Sequence, residues 1–356
     1  MLVLTLAGLG NQRGIDHGRE QAAEIAKTVT ALKAYLAGQG MPPGTVARRL
    51  ANSPLPRVAA ELTPDLWQEV TSLAHASRVP FDDVLLLVFA PDLGAYAPQD
   101  QRVEVPMGGS VVARMLPGQP KRPDPSGFGD ILPPQPPTTE LGQTVDLPDW
   151  ARERMRVLRL GPPDAPNALV MAYPGSLGLC GANDAGLAVA TNALPSAPVS
   201  AQGLGTSFIV RRLLTMTSVA DAELFLTSTP AAVGRAYTIA APDGLACFEV
   251  DSNGVARVGD AGSTGLLHTD HVLAPTAAGG ASESSRARLA GLTRGTDPGI
   301  LLADVLGKDV LVDGQRWSDP LHTFGAFRAI GTKLSCRFID GASLAARRDW
   351  TRLTYS

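Results

Sequence analysis

Cysteine is scarce in this chain. Its three cysteines, Cys180, Cys247 and Cys336, are spread along the sequence without CxxC spacing. That pattern supplies neither a disulfide framework nor a tetrahedral zinc site. Charged residues are also few, at 18%, and the net charge is −3. The charge balance therefore gives no electrostatic reason to expect nucleic acid or an acidic membrane as a partner.

Long apolar runs are missing as well. No stretch approaches the roughly 20 apolar residues that a membrane helix requires. The first ten residues have no basic segment ahead of their apolar run, and the polar residues Asn11, Gln12 and Arg13 follow at once. This beginning favours a first strand over a secretory signal. We therefore expect a cytoplasmic protein.

Glycine and proline are plentiful, at 37 and 29 residues, and 44% of the chain is hydrophobic. The composition predicts a sizeable core with many turns. An apolar face of helical period predicts a helix over residues 19–36. Strand-like segments mixed with helices follow residue 150, among them a hairpin turning at Pro242-Asp243-Gly244. Helices first and mixed elements afterwards indicate an α+β fold.

Residues 117–148 are dense in proline and show no periodicity. We predict an extended surface loop or mobile insert over about residues 117–149, with no packed element.

A Gly-Gly-Ser step at residues 108–110 separates the helical leader from the strand-rich region. A serine in this setting can attack the preceding carbonyl and become a new chain start. Its freed α-amino group, with a pKa of about 7.7–8.0, can then act as the base for its own hydroxyl. The alternative is an ordinary glycine turn that enters a strand.

Four stretches, taken in order, resemble the acyl-CoA:6-aminopenicillanic-acid acyltransferase family. The second stretch, residues 173–194, contains a pattern similar to the family's G-x-N-x-A-G-[LV]-A-V. The third stretch, residues 268–271, is close to the family's His-Thr-Asn-His. The matches cover most of the chain outside the proline-dense stretch. The four stretches are Arg13-Gly-Ile-Asp-His-Gly18, residues 173–194, His268-Thr-Asp-His271 and Ser284-Ser-Arg-Ala-Arg-Leu289.

The resemblance implies the αββα sandwich of N-terminal-nucleophile hydrolases, with two stacked antiparallel sheets between helical layers. It also implies self-cleavage before a nucleophile. Residues 1–109 would then be a helical leader chain and residues 110–356 the main sandwich. Relatives transfer or hydrolyse acyl groups, so we expect a small-molecule amide or acyl thioester as substrate and no cofactor. A homodimer is left open.

The nucleophile of this family is usually a cysteine after a glycine, and no cysteine stands at the corresponding place. In one alignment Ser110 takes the nucleophile's position, and the scissile bond is Gly109–Ser110. In an alignment shifted by one residue, Gly109 takes it and the nucleophile is lost. Two hypotheses follow: a serine-dependent acyltransferase or amidohydrolase, and a catalytically inactive relative that keeps the fold as a ligand-binding or interaction scaffold.

Asp270 is a second departure, because the family has an asparagine there as an oxyanion donor. An ionised carboxylate can only accept hydrogen bonds. A donor stabilises the transition state by about 3–4 kcal/mol. A unit charge about 4 Å away would instead repel the oxyanion by about 4 kcal/mol at an effective dielectric near 20. Asp270 is therefore compatible with catalysis only if burial keeps it protonated or if it binds a cation.

The resemblance suggests several further site residues. Asp130, or Asp124, could serve as the aspartate of the family's Asn-x-Asp, while Asn183, His268 and Arg328 could contact substrate. We expect no metal site. In a strand, residues at odd separations face opposite sides, so His268 and His271 should diverge.

Overall fold

The computed structural model describes residues 3–95, 107–118, 122–123, 131–132, 135–195, 197–259, 265–274, 281–306, 310–312, 321–338 and 350–355. The helices are α1 (Gly10–Gly38), α2 (Pro43–Ala51), α3 (Pro54–Leu62), α4 (Pro64–Ser77), α5 (Phe81–Val88), α6 (Thr206–Leu213), α7 (Val219–Ser228), α8 (Glu283–Leu292) and α9 (Leu302–Asp304). The strands are β1 (Val3–Ala7), β2 (Val111–Leu116), β3 (Arg122–Pro123), β4 (Ile131–Leu132), β5 (Thr138–Pro148), β6 (Arg156–Gly161), β7 (Ala168–Ala172), β8 (Cys180–Asn183), β9 (Ala188–Ala193), β10 (Arg235–Ala241), β11 (Gly244–Asp251), β12 (Gly254–Gly259), β13 (Gly265–His268), β14 (Leu321–Ile330), β15 (Lys333–Phe338) and β16 (Thr351–Leu353).

Helix α1 begins at Gly10, well before the predicted start at residue 19. Its first glycines serve close helix packing rather than a turn. A Cβ at Gly14 would lie 2.2 Å from the carbonyl oxygen of Glu69, and one at Gly18 would lie 2.6 Å from that of Leu73, both on α4. Only glycine allows the two backbones to approach this closely.

Two large sheets form the centre of the molecule. The first has the strand order β1-β6-β7-β8-β9-β10-β11-β12, and the second β13-β2-β5-β14-β15-β16. Neighbouring strands are antiparallel except β1 and β6, which are parallel. The predicted hairpin is confirmed, with Ala241 opposite Gly244 at its turn.

The sheets stack face to face with helices outside both. Strands β5 and β2 contact β9 and β10 across the interface. On β11, Glu249 points inward to His268 of the second sheet, while Phe248 lies under Arg257, which pairs with Glu223 of α7. Outside the second sheet, Val112 of β2 packs with Leu292, Leu302, Val305 and Leu306. The predicted αββα sandwich is confirmed.

Residues 138–148 correct the interpretation of the proline-dense stretch. They form β5, which pairs with both β2 and β14, and ten of its eleven residues are buried. Its polar side chains suggested an exposed loop, but several of them bind partners that are distant in the sequence. Gln143 bonds Thr191 of the facing sheet, and Thr323 donates to Asp146. Buried polar groups need such partners, which local sequence does not show.

Among the described residues, no helix is both long enough and apolar enough to cross a membrane.

Candidate functional site

Ser110 lies immediately before β2 and is fully buried. Its amide donates to Thr144 Oγ1 over 2.9 Å, and its carbonyl accepts from the Thr144 amide over 3.1 Å. Its hydroxyl accepts from Arg288 Nη1 at 3.1 Å. Strand pairing with β5 on one side and α8 on the other therefore fix this serine.

Gly109 presents its carbonyl oxygen to two side-chain donors. Asn192 Nδ2 lies 2.7 Å from that oxygen and Arg288 Nη1 lies 2.9 Å from it. Both donors are buried and belong to different layers, because Asn192 lies on β9 and Arg288 lies on α8. The carbonyl carbon between Gly109 and Ser110 is thereby polarised next to a hydroxyl group.

Asp270 follows β13 in a short turn and faces the same point. Its carboxylate accepts from the amides of Gly109, at 3.2 and 3.3 Å, and Ala193, at 3.2 Å. Arg288 Nη2 donates to it over 2.8 Å. The Asp270 carboxylate thus has a buried cationic partner, the guanidinium of Arg288. A bound cation is one of the two conditions under which the sequence analysis expects Asp270 to be compatible with catalysis.

Hydrogen bonds hold the part of helix α8 that carries Arg288 against the turn that follows β13. Ser282 caps its N-terminus, and Ser284 Oγ accepts from Arg288 Nε at 3.3 Å. Ser285 Oγ lies 2.9 Å from Thr269 Oγ1 and 2.8 Å from His271 Nδ1. These bonds tie the helix to the turn that carries Asp270, so the two charged groups are positioned together.

Asp146 was missed at the sequence level. Its backbone forms an isolated bridge with Gly108, and its Oδ2 is 3.6 Å from Arg288 Nη1. Thr144-Val145-Asp146 has the same spacing as the family's Asn-x-Asp, with threonine in place of asparagine. That spacing identifies Asp146 once residues 138–148 are a strand and not part of a proline-dense insert. Asp130 and Asp124 lie outside the described residues.

His268 and His271 diverge, as predicted. His268 Nε2 lies 3.0 Å from Glu249 Oε1, whereas His271 turns to Ser285. Burial alone would raise the pKa of Glu249, but bonds from His268 and the Leu273 and Ala274 amides hold it below its usual range. Burial, aided by the nearby His268, lowers the pKa of His271. Within the described ranges, no cluster of three His, Cys, Asp or Glu residues could hold a metal ion.

Asn183 and Arg328 are not in this group. Asn183 donates to the carbonyls of Leu214 and Met216 and accepts from the Leu187 amide, which is a turn-holding role. Arg328 pairs with Glu140, which also binds Arg114. This ion cluster stands four residues along β5 from Thr144, and Arg114 in turn donates to carbonyls outside the sheet.

A cavity of about 20 Å³ lies against Gly108. It has room for about one water molecule. Its lining includes the apolar residues Val145, Leu147 and Leu179 and the polar residues Gln143, Thr206 and Arg235. A larger cavity of about 250 Å³ lies elsewhere, between the start of α1, the end of α6 and residues 162–166.

The two stacked sheets and their outer helices form the αββα architecture that the resemblance implied. The sequence model of the family described as acyl-coenzyme A:6-aminopenicillanic acid acyl-transferase matches residues 142–299. The matched residues include Asn192, Asp270 and Arg288, while Ser110 lies upstream of them. The resemblance drawn from the sequence is confirmed.

Among solved structures, penicillin V acylase from Agrobacterium tumefaciens aligns with 65% of this chain and 76% of its own chain. The identity is 12% and the TM-score 0.38. No curated protein sequence matches the chain.

Proposed function

We propose that this protein is an amidohydrolase or acyltransferase of the N-terminal-nucleophile type that matures by cleaving its own Gly109–Ser110 bond. The observation that carries the proposal is the pair of donors on the Gly109 carbonyl, Asn192 and Arg288, with the Ser110 hydroxyl held by the same guanidinium. Donors on the carbonyl oxygen support attack by the adjacent serine, because they stabilise the negative charge that develops there.

Self-cleavage would begin with attack of Ser110 Oγ on the Gly109 carbonyl carbon. The new C–O bond pushes negative charge onto the carbonyl oxygen, towards Asn192 and Arg288. One such donor is worth about 3–4 kcal/mol of transition-state stabilisation. The C–N bond then breaks, the hydroxyl proton passes to the nitrogen, and water hydrolyses the resulting ester. The products are a Gly109 carboxylate and a chain that starts at Ser110.

Packing favours Ser110 over Gly109 as the nucleophile position. A Cβ at Gly109 would lie 2.1 Å from the carbonyl oxygen of Thr144 and 2.9 Å from Gln143 Nε2. The Thr144 oxygen is a backbone atom of β5, which pairs with β2, so moving it would disturb the strand pairing. Residue 109 therefore has to be glycine here, while residue 110 has room for a side chain beside Arg288.

The charge of Asp270 does not oppose this chemistry once Arg288 is counted. The guanidinium stands between the carboxylate and the Gly109 oxygen, at 2.8 and 2.9 Å from them. An opposite charge in contact with the carboxylate offsets its repulsion of a developing oxyanion. Catalysis therefore does not require Asp270 to be protonated.

After cleavage, the α-amino group of Ser110 would be the base for turnover, as it is in this fold class. Amides and acyl thioesters are the substrates that the resemblance favours. An acyl group would be transferred to Ser110 Oγ and then to water or to an amine.

The second candidate is a catalytically inactive scaffold. It is favoured by the complete burial of Ser110 and by a neighbouring cavity of only about 20 Å³. In the proposed enzyme, Ser110 is buried only in the uncleaved precursor. The site opens when the residues that end at Gly109 move away after cleavage. In the scaffold it is permanent.

Intact mass of purified, aged protein separates the two candidates. The enzyme should yield pieces of 109 and 247 residues from a chain of 356. Ser110→Ala should stay whole. Ser207→Ala is the matched control, because Ser207 is equally buried and its hydroxyl has no hydrogen-bond partner among the described residues. Wild-type protein that remains one chain would support the scaffold.

A further inference from the structure

The residues just before Ser110 mark where an acyl group sits. In the self-cleavage proposed above, the glycyl group of Gly109 becomes an ester on Ser110 Oγ. An acyl-enzyme formed during turnover is the same kind of ester on the same oxygen. The contacts of residues 107–109 in the precursor therefore describe an acyl-binding site. This inference rests on the proposed function.

Gly109 is held by its amide as well as by its carbonyl. Its N–H points at the Asp270 carboxylate, 3.2 and 3.3 Å from the two oxygens. A carboxylate accepts but cannot donate. The site of the Gly109 Cα therefore favours an acyl group whose α-carbon carries an N–H, because that N–H can donate to Asp270.

The same position has no space for a branch. A Cβ at Gly109 would meet the Thr144 carbonyl oxygen at 2.1 Å. A Cβ at Gly108 would lie 2.3 Å from both Asp270 oxygens, which Arg288 and the Ala193 amide hold in place. Two successive unbranched units fit here, and larger ones do not.

Backbone contacts continue upstream. Gly108 donates to the Asp146 carbonyl and accepts from the Asp146 amide, both at 3.0 Å. The carbonyl of Met107 accepts from Arg235 Nη1 at 2.7 Å. Met107 is 5% exposed and borders the apolar cavity that Val145 and Leu147 line. Three residues in sequence are therefore recognised as peptide.

We propose that the mature site accepts acyl groups that end in glycylglycine with an acylated nitrogen, so that its substrates are peptidyl-Gly-Gly amides or thioesters. Asp270 is the specificity-determining residue, because it accepts the N–H of the terminal glycyl unit. The residue that precedes the glycylglycine of the substrate is apolar and occupies the place of Met107.

The test compares three anilides with one leaving group on full-length protein whose processing has been followed by intact mass. They are acetyl-Met-Gly-Gly-p-nitroanilide, acetyl-Met-Gly-Ala-p-nitroanilide and phenylacetyl-p-nitroanilide. We expect kcat/KM for the first to exceed that for the second by about 5- to 150-fold, which is the factor that an overpacking cost of about 1–3 kcal/mol corresponds to. It should exceed the third by a similar factor, since a hydrogen bond to a charged group is worth about 1.5–3 kcal/mol.

Asp270→Asn tests the assigned acceptor. This variant keeps the size of the side chain but loses its charge. The ratio of kcat/KM for the glycylglycyl anilide to that for the phenylacetyl anilide should fall, mostly through a higher KM. A residue that only supports the fold would lower both rates alike and leave the ratio unchanged.

The outcomes separate this inference from the proposed function. A chain that stays at 356 residues removes both. A processed chain that prefers the phenylacetyl anilide, that cleaves the Gly-Ala anilide as fast, or that cleaves none of the three overturns this inference alone. Preference for the glycylglycyl anilide supports it.

Discussion

Arg288 contacts three groups of the candidate site. One guanidinium contacts the Gly109 carbonyl, the Ser110 hydroxyl and the Asp270 carboxylate. The planar fork of arginine reaches several acceptors at once, which a lysine ammonium on a flexible stem does not reproduce. The resemblance named the helix that carries Arg288 but not its role, since which side of the helix meets Ser110 depends on how α8 lies on the second sheet.

Asn192→Ala should slow self-cleavage by about 100- to 1,000-fold, because it removes one of two donors to the Gly109 carbonyl. The rate is measured as loss of the 356-residue species over time. Asn183→Ala is the matched control, an equally buried asparagine whose bonds go only to nearby backbone. It should lower stability and leave the cleavage rate of folded protein unchanged. Equal slowing by both variants would remove Asn192 from the site.

The buried Asp92 should make the free energy of unfolding depend on pH. Burial raises its pKa from 3.8 to about 6, despite bonds from the Thr206 amide and hydroxyl. The folded state then binds more protons than the unfolded state between these values, so this contribution is full below 3.8 and is lost as pH rises through about 6. The shift corresponds to about 3 kcal/mol at most.

The measurement is the free energy of unfolding of wild type and Asp92→Asn across that pH range. The wild-type advantage over the variant should shrink as pH rises. Comparison with the variant is needed because burial lowers the pKa of His17 to about 4, and that group changes stability in the opposite direction over the same range. A difference that does not vary with pH would contradict the assignment.

At the scale of elements, α1 packs closely against α4. Gly14→Ala should destabilise the protein by about 1–3 kcal/mol, because its Cβ meets the Glu69 carbonyl and overpacks the interface. The change also disturbs the buried ion group in which Glu69 binds Arg13 and Arg211.

Gly38→Ala is its control in the same helix. A Cβ at Gly38 meets nothing within 4 Å. This variant should be neutral or slightly stabilised, since alanine favours helix over glycine by up to about 1 kcal/mol. Denaturant unfolding of both variants gives the comparison, and similar losses in both would show that helix packing is not the cause.

The sequence predicts most elements but not all of their surroundings. The hairpin of β10 and β11 lies where the local pattern places it, and α1 includes the helix predicted over residues 19–36. Strand β5 was hidden because it is covered on both faces and therefore shows no alternation. Its polar residues look like surface until Gln143 and Asp146 meet partners far away in the chain.

At the scale of the whole molecule, the described residues before Ser110 share one hydrophobic core with those that follow it. Strand β1 pairs with β6 in the first sheet. Glu69, which precedes the proposed cleavage bond, binds Arg13 on the same side of that bond and Arg211 beyond it. After cleavage, the pieces of 109 and 247 residues should elute together on native size exclusion and separate only in denaturant. Separation without denaturant would mean that the leader is not held by this core.

Identification of the chain start of the longer piece tests the central claim most directly. Folded protein should convert to a species that begins Ser110-Val111-Val112 and a partner that ends at Gly109, at a rate independent of protein concentration. That independence marks an intramolecular reaction. A chain that stays intact on prolonged incubation, or one cut at another bond, would contradict the account.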